Sequence, residues 1–110
     1  MSYAVHIAPK AWADADSIFA WIAARSSAGA SRWYAAFLSA ARELSSDPDR
    51  YGMAPESEVL RRPIRQRFFK TRRGRVDRLL FVVQQDEITI LRIRGPGQPP
   101  VSAKEIEIES

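Results

Sequence analysis

Apolar residues recur at helical spacing in the first part of the chain. Between residues 11 and 25 they follow one another at intervals of three and four, at Ala11, Ala15, Ile18 and Ile22. This spacing predicts an amphipathic helix that begins near Pro9. A break at residues 26–29 is followed by a second apolar stripe from Ala30 to Leu44, which ends before Asp47-Pro48. Two such helices joined by a short turn predict an antiparallel helical hairpin.

Strand patterns flank this hairpin. Residues 3–7 predict a short first strand, and residues 64–70, 76–84 and 88–93 predict three more, joined by connections of hairpin length. Residues 49–62 have no period and predict an irregular crossing loop. The expected fold is α+β: a short N-terminal strand, an antiparallel helical hairpin, and a three-stranded antiparallel meander packed on the helices. We expect residues 1–110 to form one domain, with about 101–110 as an acidic tail or a short edge strand.

The register of the last hairpin is predicted from the separation of apolar and basic side chains. A three-residue loop at 85–87 pairs Leu79 with Ile93, Leu80 with Arg92 and Arg78 with Arg94; it also pairs Phe81 with Leu91 and Val83 with Thr89. A two-residue loop would bury arginines with the core residues, which is unfavourable. The first register predicts a helix-packed face and an opposite face bearing Arg78, Arg92 and Arg94, which we call the arginine face.

Charge is concentrated in the second half of the chain. Residues 61–94 hold eleven of the seventeen Lys and Arg residues and three acidic residues, so this segment is about +8 in a chain of net charge +4. The remaining residues therefore carry a net charge of about −4. Such an asymmetry predicts an anionic partner for one surface, and basic side chains on strands are held in place for it.

Composition excludes several kinds of site. The chain has no Cys and a single His, His6, so we expect no disulfide, no metal site and no Cys nucleophile, and no cofactor is indicated. The first residues lack a basic stretch followed by a long apolar run, and no window approaches the length of a membrane span. We expect a cytoplasmic protein that does not associate with a membrane.

The order of these elements, together with particular residues, resembles the RelE/ParE family of bacterial type II toxins, which includes plasmid stabilisation proteins. The residues that carry the resemblance are Ala11, Asp14, Ile18 and Trp21-Ile22, residues 30–44 with Pro48, Ala54-Pro55-Glu56, Ile64-Arg65, Val76 to Val83, and Ile90 to Arg94. The resemblance implies a toxin neutralised by a cognate antitoxin, with operator DNA bound only through that antitoxin. It implies one of two targets, ribosome-bound mRNA (RelE) or DNA gyrase (ParE).

The two branches differ in the chemistry they require. An mRNA endonuclease needs an acid, a base and a cation at the phosphate. Arg78 matches the strand arginine of the resembling nucleases, and Arg65, Arg67 or Lys70 could add positive charge. Where those nucleases place a basic residue or His and then a Tyr, this chain has 95–100, Gly-Pro-Gly-Gln-Pro-Pro. Arginine is a poor general acid or base because its pKa stays above about 12.

We therefore favour the ParE-like branch and assign no catalytic residue; Arg78 would be catalytic only in a nuclease. The alternatives are a ribosome-dependent mRNA endonuclease, and a non-toxic relative that acts only in antitoxin binding and repression of its own operon.

Leu80 and Val82 are predicted to lie on the arginine face, where a solvated strand would carry polar residues. We expect an antitoxin segment to cover them while its acidic residues pair with the arginines. The alternative is that the arginines pair with Asp77, Asp86 or the acidic tail on a solvated face. The candidate residues for a toxic site or antitoxin-binding site are Arg65, Arg67, Arg78, Leu80, Val82, Arg92 and Arg94.

Overall fold

The computed structural model describes residues 2–71 and 74–106, and its elements follow the predicted α+β order. Residues 72–73, within the predicted connection 71–75, and residues 107–110 of the predicted tail lie outside the described residues. Two 3₁₀ turns, Pro48–Arg50 and Ala103–Glu105, accompany the main elements. The main elements are β1 (Ala4–Ile7), α1 (Pro9–Ala23), α2 (Ser27–Glu43), α3 (Glu56–Leu60), β2 (Arg65–Lys70), β3 (Val76–Gln84) and β4 (Glu87–Arg94).

The predicted helical hairpin is confirmed, and its turn has a clear local cause. Pro9 occupies the first turn of α1, where its missing N–H costs no hydrogen bond. Ser26 caps α2, its Oγ accepting the Gly29 N–H at 2.9 Å. The prediction of a wholly irregular segment at 49–62 was wrong, because α3 forms within it. A five-residue helix is too short to produce a recognisable apolar period.

The four strands form one sheet in the order β1-β4-β3-β2. β2, β3 and β4 make the predicted antiparallel meander, while β1 lies parallel to β4 at the sheet edge. β1 pairs with residues 87–90, and beyond Ile90 no strand of the described residues lies beside the outer edge of β4. Helix α1 packs against β4 at this place.

The predicted register of the last hairpin is correct at one end and wrong at the other. Arg78 with Arg94, Leu79 with Ile93 and Leu80 with Arg92 pair as expected. The loop, however, has two residues, 85–86, and residues 81 to 84 pair with 90, 89, 88 and 87. A β-bulge at Leu91 absorbs the difference, and it puts Leu91 on the arginine face instead of opposite Phe81. The bulge thus reconciles a short turn with separation of arginines from the core.

The helix-packed face carries the larger core. Trp33, Phe37, Phe69 and Phe81 are buried there among aliphatic residues of β3 and β4. Phe68 and Phe69 are adjacent in β2 and therefore point to opposite faces of the sheet: Phe69 is buried and Phe68 is exposed. Trp33 is fully buried, whereas Trp12 and Trp21 are exposed by more than a third of their surface; Trp12 nevertheless meets Phe37 edge-on.

A second apolar cluster lies on the arginine face, and the chain builds it from its own segments. Leu80, Val82 and Leu91 are buried against residues that precede β2 and against Val101 and Ile106. The expectation that Leu80 and Val82 await a partner's cover is therefore wrong for the free chain. Residues 95–106, which we call the C-terminal segment, supply part of that cover because they turn back over the sheet after β4.

Candidate functional site

The guanidinium of Arg78 is bound by a buried carboxylate from α3. Arg78 Nη1 and Nη2 donate to Glu56 Oε1 and Oε2 at 2.8 and 2.6 Å, and Gln66 Oε1 accepts a further bond. Glu56 is fully buried, and its Oε2 also accepts the Val101 N–H at 2.9 Å. The fork-to-fork geometry is the strongest form of such a pair. The predicted alternative partners of Arg78 were Asp77, Asp86 and the acidic tail; among residues 2–71 and 74–106 its side-chain partners are Glu56 and Gln66 instead.

Arg92 is held in the same way by helix α1. Its Nε and Nη2 each donate to the Asp14 carboxylate at 2.8 Å, and its Nη1 donates to the Glu105 carbonyl. Asp14 Oδ2 also accepts the Ile93 N–H at 2.9 Å. Because β1 stops at Ile7, this carboxylate takes the place of a strand at the open edge of β4. The hydrogen bonds to Asp14 raise the pKa of Arg92 further.

Arg94 is nearly buried and pairs with the C-terminal segment. Its Nη2 donates to Glu105 Oε2, and Ser102 and Glu105 cap one another at the start of the 3₁₀ turn. The backbone bond from this turn, the burial that opposes it and the bond from Arg94 leave the pKa of Glu105 below its usual value. The Nε of Arg94 is buried without a hydrogen-bond partner in the described part of the chain. The expectation of a pair with the acidic tail is thus met by Arg94, through Glu105.

Arg65 and Arg67 lie apart from the other candidate residues. They belong to β2, and they face the Tyr51 side: Arg65 Nη1 donates to the Tyr51 carbonyl at 2.6 Å, and Arg67 donates to the Tyr51 hydroxyl and to Glu43. The alternation of side chains along β2 places them on the helix-packed side. The structure therefore brings Arg78, Leu80, Val82, Arg92 and Arg94 together, and it separates Arg65 and Arg67 from them.

The acidic partners of the arginines were missed by the sequence reasoning, although a signal was present. Glu56 and Asp14 both belong to the residues that carry the family resemblance, and each binds one strand arginine across 22 or 78 positions. Charge patterning alone could not pair residues so far apart. The excess positive charge of residues 61–94 is therefore partly compensated inside the molecule, which reduces the charge left for an external anion.

Two buried carboxyls have pKa values displaced in opposite directions. Burial raises the pKa of Glu56, but the bonds from Arg78 and Val101 outweigh it and hold the pKa below 4.5. Burial raises the pKa of Asp77 above 3.8, although the Trp33 indole N–H and Arg75 favour the charged form. Both effects follow from burial acting against hydrogen bonds to the ionised form.

A cavity of about 490 Å³ opens on the arginine face beside β1. Its floor includes Val82, Leu91 and Ile106, and its rim carries His6, Lys10 and Arg62. His6 Nε2 lies 3.1 Å from Glu87 Oε1, so the chain's histidine is paired with a carboxylate at an accessible site. From the sequence, His6 belongs to the first strand and is interpreted as structural rather than catalytic; the structure shows that it lines this cavity.

Comparison with known proteins assigns the family. None of the curated proteins compared with the chain matches it. No helix of residues 2–71 and 74–106 has the length and apolarity needed to cross a membrane. Residues 5–98 match the family model described as "ParE toxin of type II toxin-antitoxin system, parDE", and this match covers helices α1 to α3, strands β2 to β4 and all of β1 except Ala4. Toxins of this family pair with cognate antitoxins. The chain therefore belongs to the ParE toxins of type II toxin-antitoxin systems.

Proposed function

We propose that this chain is a bacterial cytoplasmic toxin that binds and poisons DNA gyrase, and that a cognate antitoxin neutralises it. The observation that carries the proposal is the family match over residues 5–98. It acts through protein contacts, with no cofactor and no membrane. In a bacterial cell such a pair would serve plasmid stabilisation, and operator DNA would be reached through the antitoxin.

The chemistry around Arg78 supports binding over catalysis. Its guanidinium is committed to Glu56 through two hydrogen bonds, which leaves little freedom to follow a reacting phosphate. Tyr3, Tyr34 and Tyr51 all pack against the core on the helix-packed side. An mRNA endonuclease built around Arg78 would therefore lack a tyrosine beside it.

The first test is DNA cleavage by purified gyrase with ATP and supercoiled plasmid. We expect linear DNA, released by detergent and protease, to increase with the concentration of the chain, because a poison traps the cleaved complex. A reaction without gyrase controls for intrinsic nuclease activity, and a heat-unfolded sample controls for non-specific binding of a basic chain. No linear DNA from a chain shown to be folded by circular dichroism would contradict the proposal.

A second candidate function, ribosome-dependent mRNA cleavage, is favoured by one observation. His6, paired with Glu87, lines the cavity that also carries Lys10 and Arg62. If the gyrase assay is negative and ribosome-bound mRNA is cut, His6→Ala should lower cleavage by about 100-fold or more, the usual contribution of a general acid or base. If neither target is affected, the non-toxic alternative, antitoxin binding with operon repression, replaces both.

We propose that the antitoxin binds the arginine face after displacing the C-terminal segment. That segment makes the contacts expected of an antitoxin there: Val101 and Ile106 cover Leu80 and Val82, and Glu105 neutralises Arg94. A partner segment with the same alternation of apolar and acidic side chains would bind by replacing it. This interpretation keeps Arg78, Leu80, Val82, Arg92 and Arg94 as the binding residues, with Arg65 and Arg67 at a separate contact.

A charge exchange tests the antitoxin site without breaking the fold. In the double variant Arg94→Glu with Glu105→Arg, an internal ion pair persists while the charge on the sheet is reversed. We expect affinity for the antitoxin encoded beside the toxin to fall about tenfold or more, because like charges then meet. Isothermal calorimetry measures this, and Lys104→Glu, an exposed change in the same turn, is the matched control. Equal affinities of wild type and double variant would contradict the site.

A further inference from the structure

A second cavity lies at the turn of the helical hairpin, whereas the first cavity lies near the start of α1. None of the residues assigned above to the arginine face lines it. Its volume is about 630 Å³, and it opens between the turn that joins α1 to α2 and the loop that joins β2 to β3. Trp21, Ile22 and Trp33 form its apolar wall. Trp21 is 52 % exposed, which is high for the largest apolar side chain of a small protein.

Trp21 is held in place although it is exposed. The Arg25 guanidinium lies 3.9 Å from the centre of the Trp21 ring, and Arg25 Nη1 also donates to the Trp21 carbonyl at 2.9 Å. Arg75 lies 5.6 Å from the same ring. Cation–π contacts of this kind reduce the rotamer freedom that a binding partner would otherwise have to remove.

The network continues into the core. Arg75 Nε donates to Asp77 Oδ1 at 3.0 Å, and the indole N–H of Trp33 donates to Asp77 Oδ2 at 2.9 Å. A Cβ at Gly95 would lie 1.7 Å from Arg75 Nη2, so the glycine leaves the space that the Arg75 guanidinium occupies. The buried Asp77 carboxylate thus holds two of the residues that line the cavity, Arg75 and Trp33, in place.

The charge of the rim is positive. The charged residues that line the cavity, among those the structure describes, are Arg32 and Arg75, and Arg25 lies behind the Trp21 ring. The carboxylate that contacts this rim, Asp77, is buried and already bound by Trp33 and Arg75. Helix α2 begins at this cavity, and its N-terminus adds potential of the same sign.

We propose that this cavity, with Trp21 at its mouth and Arg32 and Arg75 on its rim, is a docking site for an acidic segment of a partner protein that inserts an aromatic or large aliphatic side chain. Tryptophan and arginine are the residues that most often dominate protein interfaces. Apolar walls favour a protein side chain over a nucleic acid, whose phosphates need several open cations. The proposal does not depend on gyrase being the target.

The experiment is a titration of the ¹⁵N-labelled full chain with blocked pentapeptides, followed by NMR. With Asp-Glu-Phe-Glu-Asp we expect saturable shifts of the Trp21 indole signal and of the Gly29 and Gly74 amides, with a dissociation constant on the order of 1 mM or tighter. The Trp12 indole is an internal control, because it lies nine residues away on the same helix, about 13 Å along its axis. It should not move.

Two further peptides and two protein variants separate the contribution of the apolar side chain to binding from that of charge. A peptide with Ala in place of Phe tests the apolar anchor, and one with Lys in place of the acids tests charge; both should bind at least about fivefold more weakly. Arg32→Glu should weaken binding by a similar factor. Arg42→Glu, an exposed arginine at the other end of α2, should leave binding unchanged.

Three results would overturn the proposal. The first is the absence of shifts at millimolar peptide, and the second is an equal response at Trp12. The third is stronger binding of a short oligodeoxythymidine at the same signals, which would identify a nucleic-acid site instead.

Discussion

Replacing Glu56 by alanine should lower the free energy of unfolding by about 3–5 kcal/mol, the cost of leaving a buried charge without its partner. Glu56 is fully buried, binds Arg78 through both oxygens and accepts the Val101 N–H. Its loss leaves the Arg78 guanidinium without its carboxylate and the Val101 N–H without its acceptor. For a domain whose total stability is about 5–15 kcal/mol, this is a large fraction. Urea unfolding followed by circular dichroism measures the change.

The matched control is Glu58→Ala, an exposed glutamate on the same helix, which should change stability by about 0.5 kcal/mol or less. The double variant Glu56→Leu with Arg78→Met removes both charges together. It should lose much less than the single change, since no buried charge is left alone. Equal losses in the single and double variants would show that the ion pair is not the cause.

The same carboxylate predicts a pH dependence. The pKa of Glu56 is lowered in the folded protein, so its contribution to stability is fully present above its unfolded pKa of about 4.5 and is lost as the pH falls through the folded pKa. Asp77 acts in the opposite sense: its pKa is raised, so ionised Asp77 opposes folding, and this cost disappears as the pH falls. In Glu56→Gln the loss of stability below pH 4.5 should be smaller than in the wild type.

Replacing Phe37 by alanine should also cost about 3–5 kcal/mol, for a different reason. Phe37 is fully buried and lies at the centre of the aromatic cluster that joins the hairpin to the sheet. It stacks on Trp33 with ring centroids 5.7 Å apart and meets Trp12 and Phe69 at 6.0 and 6.3 Å. The change removes the transfer energy of the ring and leaves a cavity that rigid neighbours cannot fill.

Phe19→Ala is the control for this change. Phe19 contacts one ring, Tyr34, edge-on at 6.0 Å, and it is 37 % exposed. Replacing it should lower the free energy of unfolding by about 1 kcal/mol, because one aromatic contact and part of the hydrophobic burial of the ring are lost. Thermal unfolding of both variants measures the difference, and a Phe37→Ala melting temperature within a few degrees of the Phe19→Ala value would contradict the central role of Phe37.

Local patterns were enough to predict much of the fold. The apolar stripe from Ala11 to Ile22 and the stripe from Ala30 to Leu44 identified both helices, and β-branched runs identified the meander. These patterns work because a helix or strand long enough to bury one face must repeat its apolar residues at its own period. Helix α3, at five residues, is shorter than two such periods and gave no comparable signal.

The candidate site was only partly predictable. The sequence placed Arg78, Arg92 and Arg94 on one face, and the structure agrees. It could not show that Arg65 and Arg67 face the other way, nor that Leu91 leaves the predicted pairing through a bulge. Both depend on the exact register between strands, and a shift of one residue exchanges the faces.

The sequence by itself determined the α+β order, the helical hairpin, the segregation of arginines onto one sheet face, and the resemblance to the toxin family. Only the tertiary structure decided what those arginines do. Glu56 and Asp14 lie 22 and 78 residues from the arginines they bind, and Glu105 reaches Arg94 from a segment that first has to turn back over the sheet. Periodicity records which way a side chain points along its own element. Partners that meet across elements are selected by packing and by the cost of an unpaired buried charge, and neither leaves a local pattern.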